Sequence, residues 1–213
     1  MLVFDLSRPR DAGDGATVAV LLHGRGSHRG DLQALRPYLP ADWVLLTPEA
    51  SHPGHPWGYG PGWAWYRYLG DDRVEEEGLA DSLAAVDLLL ADLPAVVGLR
   101  PGRLILGGFS QGGTVSLTYA LTHPGAAAAT LVFSGFLPAT PSLGDDVLAA
   151  ARTPIFWGHG TRDLNIPLKL AGRGRKRLAA AGVPMEARDY DVGHGIDPAE
   201  VDDAVAFVET HAG

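Results

Sequence analysis

Residues 104–113 read LILGGFSQGG, a short apolar run that leads directly into a serine set among glycines. The residues that follow, 114–122, have the composition of a helix, which Pro124 ends. A serine on a tight turn between a strand and a helix needs glycines beside it, because side chains at those positions would collide. Such a turn lifts the hydroxyl of Ser110 above the sheet, so this stretch predicts an accessible nucleophile at the end of a strand.

Outward from this turn, apolar runs of strand length alternate with helical patterns. The runs are residues 18–22, 44–46, 104–106, 130–133 and 155–157, and the strand-like 185–190 follows them. The alternation predicts βαβ units, so we expect an α/β fold with a mostly parallel central sheet and helices on both faces. The length of 213 residues predicts a single domain over residues 1–213. Residues 48–70 lack a period and are predicted to form a long loop rich in Pro, Gly and aromatic side chains.

Composition and charge argue against several classes of function. The 25 acidic and 17 basic residues give a net charge of −8, which repels a phosphate backbone, so no nucleic-acid partner is expected. No apolar run approaches the roughly 18 residues of a spanning helix, so no stable membrane insertion is expected. The first residues lack a basic segment followed by a long apolar one, so we expect a cytoplasmic protein. The absence of cysteine excludes thiolate metal sites and a cysteine nucleophile.

A base must accept the proton of the serine hydroxyl before that hydroxyl becomes an effective nucleophile, and histidine suits this task near neutrality. In such an architecture the order along the chain is Ser, then Asp or Glu, then His. His194 lies in a loop of small residues between the last predicted strand and the last helix. That position is the carboxyl end of a strand, where sites form in parallel sheets, so His194 is the predicted base.

The acidic partner of His194 has several candidates. Asp163 follows the preceding strand, and from that neighbouring loop its carboxylate is expected to accept the Nδ1–H of the imidazole. Three acids lie nearer to His194 in the sequence: Asp189, Asp191 and Asp197. An acid on the same tight turn as the histidine faces the ring edge less well, so Asp163 is favoured over them.

Two backbone amides are expected to stabilise the negative charge that develops on a substrate oxygen during acyl transfer. One is the N–H of Gln111, which comes directly after the predicted nucleophile. The second should come from the loop after an earlier strand, and residues 21–26, LLHGRG, follow the first strong strand. This places the N–H of Arg25 as the second donor.

Five sequence blocks together resemble the phospholipase/carboxylesterase family of α/β-hydrolases, which includes the acyl-protein thioesterases. The blocks are LLHGRG at 21–26, GGFSQGG at 107–113, FSGFLP at 133–138, HGTRDLNIP at 159–167 and VGHG at 192–195. They occur in the family's order and span nearly the whole chain. The resemblance implies an α/β-hydrolase fold without a separate cap domain, a triad of Ser110, Asp163 and His194, and oxyanion-hole amides from Arg25 and Gln111.

The same resemblance implies a carboxylesterase that cleaves small-molecule esters of short to medium acyl chains through an acyl-enzyme. A lysophospholipase or an acyl-protein thioesterase is the alternative, and a homodimer is a possible assembly. No cofactor and no metal are expected. Trp65 and Tyr66 fall where relatives carry an aromatic pair beside the acyl pocket, and Ile166 in the fourth block is expected to join them as a substrate-binding residue. His23 is implied to be structural.

Two arginines depart from the thioesterase branch of that family. Arg25 stands where that branch usually has a small or apolar residue, and Arg67 stands where it tends to have an acid. The two cations are expected either to attract an acidic leaving group or substrate carboxylate, or simply to reach solvent.

Alternatives from other classes remain open on the sequence alone. The glycines within 24–30, with Glu49 ending the next strand, resemble a dinucleotide-binding turn, so an NAD(P)-dependent oxidoreductase is a distant alternative that leaves the predicted triad unexplained. His52 and His55 form an H-x-x-H pair, but a loop without a third ligand does not favour a metal site. A non-enzymatic binding module is the third alternative, and the intact serine turn argues against it.

Overall fold

The computed structural model of the protein describes residues 2–211 and contains a seven-stranded sheet. The strands are β1 (Phe4–Ser7), β2 (Thr17–Leu22), β3 (Val44–Pro48), β4 (Arg103–Phe109), β5 (Ala129–Phe133), β6 (Ile155–Gly160) and β7 (Met185–Tyr190). Their order across the sheet is β1-β3-β2-β4-β5-β6-β7. Strand β1 is antiparallel to β3, and each of the other neighbouring pairs is parallel, which confirms the predicted mostly parallel sheet.

Helices connect the strands and cover both faces of the sheet. They are α1 (Glu76–Ala91), α2 (Leu93–Val97), α3 (Gln111–Thr122), α4 (Asp145–Ala150), α5 (Leu168–Ala180) and α6 (Pro198–His211), with short 3₁₀ helices at Leu32–Tyr38, His55–Trp57 and Pro141–Leu143. None of the helices within residues 2–211 combines the length and apolar character needed to cross a lipid bilayer.

Alternate residues of β2 contact opposite layers of the core. Val18 and Val20 belong to the apolar cluster that α1 and α3 cover, whereas Ala19 and Leu21 belong to the cluster that α6 covers. All six residues of β2 are buried, as expected of a central strand in a parallel sheet. The sheet is therefore covered by helices on both of its faces.

Glycines let helix α3 approach the sheet closely. A Cβ on Gly112 would overlap the carbonyl oxygen of Leu22, and a Cβ on Gly108 would lie 2.6 Å from that same oxygen. Because backbone meets backbone here, the start of α3 is fixed against the end of β2. The helix begins at Gln111, three residues earlier than the sequence predicts, and so follows Ser110 directly.

Residues 48–70 are more structured than the predicted loop. Two residue pairs, His52–Pro53 and Trp63–Ala64, form a short antiparallel ladder, and Tyr68–Gly70 pairs with Arg73–Val74. The N–H of Trp63 donates to Ser27, and Trp63 accepts from Gly26. The segment is thereby joined to the loop that follows β2.

Strand β1 is a further element that the sequence patterns miss. Its four residues, FDLS, are too few to show a period, and they lie at the edge of the sheet in a half-buried position.

Candidate active site

The three predicted catalytic residues each follow the carboxyl end of a strand. Ser110 follows β4, Asp163 lies in the loop after β6, and His194 lies in the loop after β7. These strands run parallel, so their carboxyl ends meet at one edge of the sheet. Residues that are up to 84 positions apart in sequence are in contact there.

Ser110 has an unusual backbone conformation. Its φ of 55° and ψ of −114° are costly for a residue with a side chain, and such outliers cluster at functional sites. The N–H of Ser110 donates to the carbonyl of Phe133 at 2.8 Å, which fixes the turn to the neighbouring strand β5. The turn directs the Ser110 hydroxyl into a cleft at the edge of the sheet.

Ser110, His194 and Asp163 form one continuous chain of hydrogen bonds. The Ser110 Oγ lies 2.9 Å from Nε2 of His194, and the His194 Nδ1 lies 2.6 Å from Oδ2 of Asp163. An ionised carboxylate only accepts hydrogen bonds, so the imidazole carries its proton on Nδ1. Nε2 is then free to accept the hydroxyl proton of Ser110.

Asp163 is held as an anion although it is buried. Burial alone raises the pKa of its carboxyl group, but hydrogen bonds from His194 and from the N–H groups of Ile166 and Asn165 outweigh that effect and bring the pKa below its ordinary value. The two N–H groups donate to Oδ1 at 2.8 Å, which leaves Oδ2 to face the imidazole. The carboxylate is therefore fixed in orientation as well as in charge.

Close backbone contact also sets the distance between the Asp163 and His194 loops. A Cβ on Gly160, the last residue of β6, would overlap the carbonyl oxygen of Gly193, so the strand end that leads to Asp163 touches the His194 loop through glycine. The ring of Phe109 packs against the imidazole of His194 with 4.8 Å between centroids. The imidazole is consequently supported on one side by the residue that precedes Ser110.

The amides of Gln111 and Arg25 are available as donors. Within residues 2–211, neither N–H has a hydrogen-bond partner, and both residues line the cleft that contains Ser110. The first N–H groups of a helix have no partner inside the helix, which explains the free amide of Gln111. Their placement fits two donors to an oxyanion, as the sequence predicts.

His23 supports the loop that carries Arg25. Its side chain is 1 % exposed, its Nε2 accepts the N–H of Ala50 at 3.1 Å, and its Nδ1–H therefore donates to the carbonyl of Gly24 at 2.7 Å. Burial lowers the pKa of the imidazole. These contacts occupy both ring nitrogens, in keeping with the structural role that the family resemblance implies.

The side chain of Gln111 has a function that sequence reasoning misses. Its Oε1 accepts the N–H of Trp65 at 3.1 Å, and its Nε2 donates to the carbonyl of Tyr66 at 2.8 Å. The residue after the nucleophile thus joins helix α3 to the aromatic segment. A glutamine in this position of the motif is the only signal in the sequence that points to this contact.

The empty space in the cleft amounts to about 340 Å³ when the open solvent at its mouth is included. Its lining consists of Arg25, Tyr66, Tyr68, Ser110, Gln111, Phe136, Asn165, Ile166 and His194. The structure thus places Tyr66 and Ile166 in the wall of the cleft but does not bring Trp65 to it. The indole of Trp65 is fully buried behind the wall and donates from Nε1 to the carbonyl of His23. The sequence interpretation misses two members of the lining, Phe136 and Asn165.

The two unusual arginines occupy different positions. The guanidinium of Arg25 lies over the rings of Tyr59 and Tyr68, at 4.8 and 5.8 Å from their centroids. Arg67 is exposed and is not part of the cleft lining. Of the two arginines, Arg25 is therefore the one that belongs to the cleft that contains Ser110.

The glycines that resemble a dinucleotide-binding turn have a packing role in this site. A Cβ on Gly24 would lie 3.0 Å from the ring of Phe109, and a Cβ on Gly26 would overlap the carbonyl oxygen of Tyr59. Within residues 2–211, no group of three or more His, Asp or Glu side chains is arranged to hold a metal ion.

A mostly parallel sheet with a nucleophile turn after β4, and with the acid and histidine on later strand ends, is the architecture of the α/β-hydrolases. The chain belongs to the phospholipase/carboxylesterase family, whose sequence model matches residues 10–212. It is 28 % identical over 206 residues to acyl-protein thioesterase 1 of Eremothecium gossypii. The aligned residues cover 90 % of this chain and 86 % of that protein.

Other similar proteins differ in their described activity. A rice protein (Oryza sativa subsp. japonica) described as a probable inactive carboxylesterase is 34 % identical over 137 residues, 63 % of this chain, and the match spans only 56 % of the rice protein's length. The solved structure of esterase PE8 superimposes with a TM-score of 0.79 at 27 % identity and covers 99 % of both chains.

Proposed function

We propose that the protein is a carboxylesterase-type serine hydrolase that cleaves carboxylic esters of short to medium acyl chains through an acyl-enzyme. One observation carries this proposal: the Ser110 hydroxyl faces the cleft at 2.9 Å from His194, whose other ring nitrogen is held by Asp163 at 2.6 Å. The family membership and the likeness to esterase PE8 support it.

In the proposed mechanism, the Oγ of Ser110 attacks the ester carbonyl while Nε2 of His194 takes the hydroxyl proton. The oxyanion that forms accepts hydrogen bonds from the N–H groups of Gln111 and Arg25. When the C–O bond to the alcohol breaks, His194 returns the proton to the departing oxygen, which leaves the acyl group on Ser110. Water then attacks the acyl-enzyme with His194 as the base, and the acid is released. None of these steps calls for a cofactor.

Replacement of the nucleophile tests the proposal. We expect Ser110→Ala to lower kcat/KM for 4-nitrophenyl butyrate on the order of 10⁴-fold or more, because the acyl-enzyme no longer forms. The measurement is release of 4-nitrophenolate at neutral pH.

Ser116→Ala is the matched control for that experiment. Ser116 lies on the same helix α3, is fully buried, and its Oγ has no partner within residues 2–211. It should keep the wild-type rate. An Ser110→Ala variant that retains a few per cent or more of the activity would show that another group carries the reaction.

A second candidate activity is hydrolysis of a thioester or a lysophospholipid at the same serine. The names of the similar thioesterase and of the family favour this candidate. A series of 4-nitrophenyl esters from acetate to octanoate, set beside a thioester of the same acyl groups and a lysophosphatidylcholine, separates the three. The proposed carboxylesterase gives its highest kcat/KM with an oxygen ester of two to eight carbons, and a higher value for the thioester or lysolipid favours the second candidate.

We further propose a single domain over residues 1–213, a cytoplasmic location and a homodimer. The extent of the family match supports the single domain.

The exposed apolar side chains of Val3 and Leu88, which border one groove, support an assembly of two chains. Light scattering behind size exclusion gives the mass in solution, and fractionation of the source cells gives the location.

A further inference from the structure

We propose that the side chain of Arg25 recognises a carboxylate on the substrate, so that the protein prefers esters with a negative charge in the acyl or the alcohol part. This inference rests on the proposed ester hydrolysis at Ser110 and adds to it the chemical class of the substrate. Arg25 then has two roles, with its backbone N–H directed at the reacting oxygen and its guanidinium at a second group of the same molecule.

The position of Arg25 brings a permanent positive charge to the cleft. Arg25 lines the same cleft as Ser110 and His194, and its guanidinium lies over the ring of Tyr68, which also lines that cleft. The described lining contains no Asp or Glu side chain, so Arg25 is the permanently charged member of that lining. The overall net charge of −8 opposes the approach of an anion, which makes a local cation the feature that can select one.

Two aromatic rings hold the guanidinium over the cleft. The rings belong to Tyr59 and Tyr68, and each is fixed by a hydrogen bond of its hydroxyl group. The Tyr59 Oη accepts the N–H of Tyr68 at 2.8 Å, and the Tyr68 Oη donates to the carbonyl of Asp71 at 2.9 Å. Tyr68 also packs edge-on against Phe136, which itself lines the cleft. Stacking on rings uses the faces of a guanidinium and leaves the N–H groups at its edge free.

The hydrogen-bond donors of Arg25 have no partner in residues 2–211. Eight other arginines of the described chain form ion pairs: Arg29, Arg100, Arg103, Arg162, Arg173, Arg175, Arg177 and Arg188. Arg25 makes neither an ion pair nor a side-chain hydrogen bond there. A planar group with parallel N–H donors fits a carboxylate with two hydrogen bonds.

Two pairs of esters test the inference and show which part of the substrate carries the charge. In the acyl pair, the mono-4-nitrophenyl ester of adipic acid is compared with 4-nitrophenyl hexanoate. In the alcohol pair, 4-carboxyphenyl butyrate is compared with 4-carbamoylphenyl butyrate. The quantity measured is the ratio of kcat/KM for the anionic ester to that for its neutral counterpart, after subtraction of spontaneous hydrolysis.

We expect Arg25→Gln to lower that ratio about tenfold or more in at least one of the two pairs, chiefly through KM, because a charge-assisted contact is lost. Arg25→Lys keeps the charge but not the paired donors and should lose less. The matched control is Arg67→Gln, which removes the same unit of charge from an exposed position outside the cleft and should leave both ratios unchanged.

Three outcomes overturn the inference. In the first, Arg25→Gln changes both members of each pair equally. In the second, Arg67→Gln lowers the ratio as much as Arg25→Gln does, so that only the overall charge matters. In the third, the wild type hydrolyses the anionic and the neutral ester of each pair with the same kcat/KM, and neither variant changes that ratio. Failure of the proposed function is distinct, because then no ester is hydrolysed in a manner that depends on Ser110.

Discussion

The serine turn at 107–113 and the aromatic segment at 48–70 both border the cleft, but side chains contribute differently to holding them in place. In the serine turn, backbone meets backbone across glycines, and the contact leaves no room for any side chain. The aromatic segment has such glycine contacts too, between Gly26 and Tyr59 and between Gly62 and Gly26, but it is also joined to the Gln111 side chain by two hydrogen bonds. The comparison indicates that the turn is fixed by its backbone, whereas the segment depends in addition on side-chain contacts that single substitutions can alter.

The largest effect is expected from filling the backbone contact of the serine turn. Gly112→Ala places a Cβ against the carbonyl of Leu22, and neither backbone can yield, so we expect the free energy of unfolding to fall by about 3 kcal/mol. Chemical denaturation measures it. Gly172→Ala is the control, because a Cβ there meets nothing within 4 Å. Equal stability of the two variants would refute the rigid contact.

A smaller effect is expected where the two regions meet. Gln111→Ala leaves the N–H of Trp65 and the carbonyl of Tyr66 without partners in a buried position, so we expect a loss of about 2 kcal/mol of unfolding free energy. Because the wall of the cleft then shifts, the preference among 4-nitrophenyl esters of different acyl length should also change.

Gln33→Ala is the control for the second of these effects. The Gln33 amide also makes two hydrogen bonds, both donated by Nε2, to the carbonyl of Asp5 and the hydroxyl of Thr47, but it lies outside the cleft lining. This variant should lose stability and keep the acyl-length preference. A Gln111→Ala enzyme with the wild-type preference would show that the aromatic segment is positioned without that side chain.

The smallest effect is expected on the pH dependence of stability, from a titratable side chain that packs against a glycine. Gly158 packs against the buried carboxyl group of Glu200, whose pKa is raised to about 8 chiefly by burial and further by the charge of Asp197. Between about pH 4.5 and 8 the folded state keeps a proton that the unfolded state releases, so stability falls as pH rises through this window. The limit for one proton is about 1.4 kcal/mol per pH unit.

Glu200→Gln should remove that part of the pH dependence. The measurement is the free energy of unfolding at pH 6 and pH 7 for the wild type and the variant. Glu209→Gln is the control, because it makes the same substitution on the same helix at a half-exposed position. The same slope in the wild type and in Glu200→Gln would contradict a buried, protonated Glu200.

Buried parallel strands appear in the sequence as separate apolar runs. The sequence therefore predicts these strands and their order along the chain. The turn at Ser110 is equally predictable, because its glycines form a local sequence motif, although the contacts that they permit reach the distant residue Leu22. The order Ser, Asp, His also places Asp163 and His194 at neighbouring strand ends, and the structure brings both within hydrogen-bond distance of the next member. Their catalytic roles stay a prediction until the variants are measured.

The wall of the cleft is harder to derive from sequence. The positions of Trp65 and Tyr68 depend on contacts with residues 42 and 9 positions away, and such pairings leave no periodic pattern. Composition alone does not show which of two adjacent aromatic side chains faces the cleft. The sequence predicts Trp65 as well as Tyr66 in the cleft, but the structure places Trp65 behind its wall. The same reason separates Arg25 from Arg67, since both are arginines in loops and only the fold places one beside Ser110.

The hydrogen bonds between residues 26–27 and Trp63 have a practical consequence for protein engineering. Because the aromatic segment supports the backbone on which the Arg25 amide sits, exchanging the whole segment for that of an esterase would displace the amide that we propose as a donor to the oxyanion, along with the wall of the cleft. A library that varies only the side chains at Tyr59 and Tyr68, and leaves Gly26, Gly62 and Trp63 intact, can change the substrate preference while the Arg25 amide keeps its position.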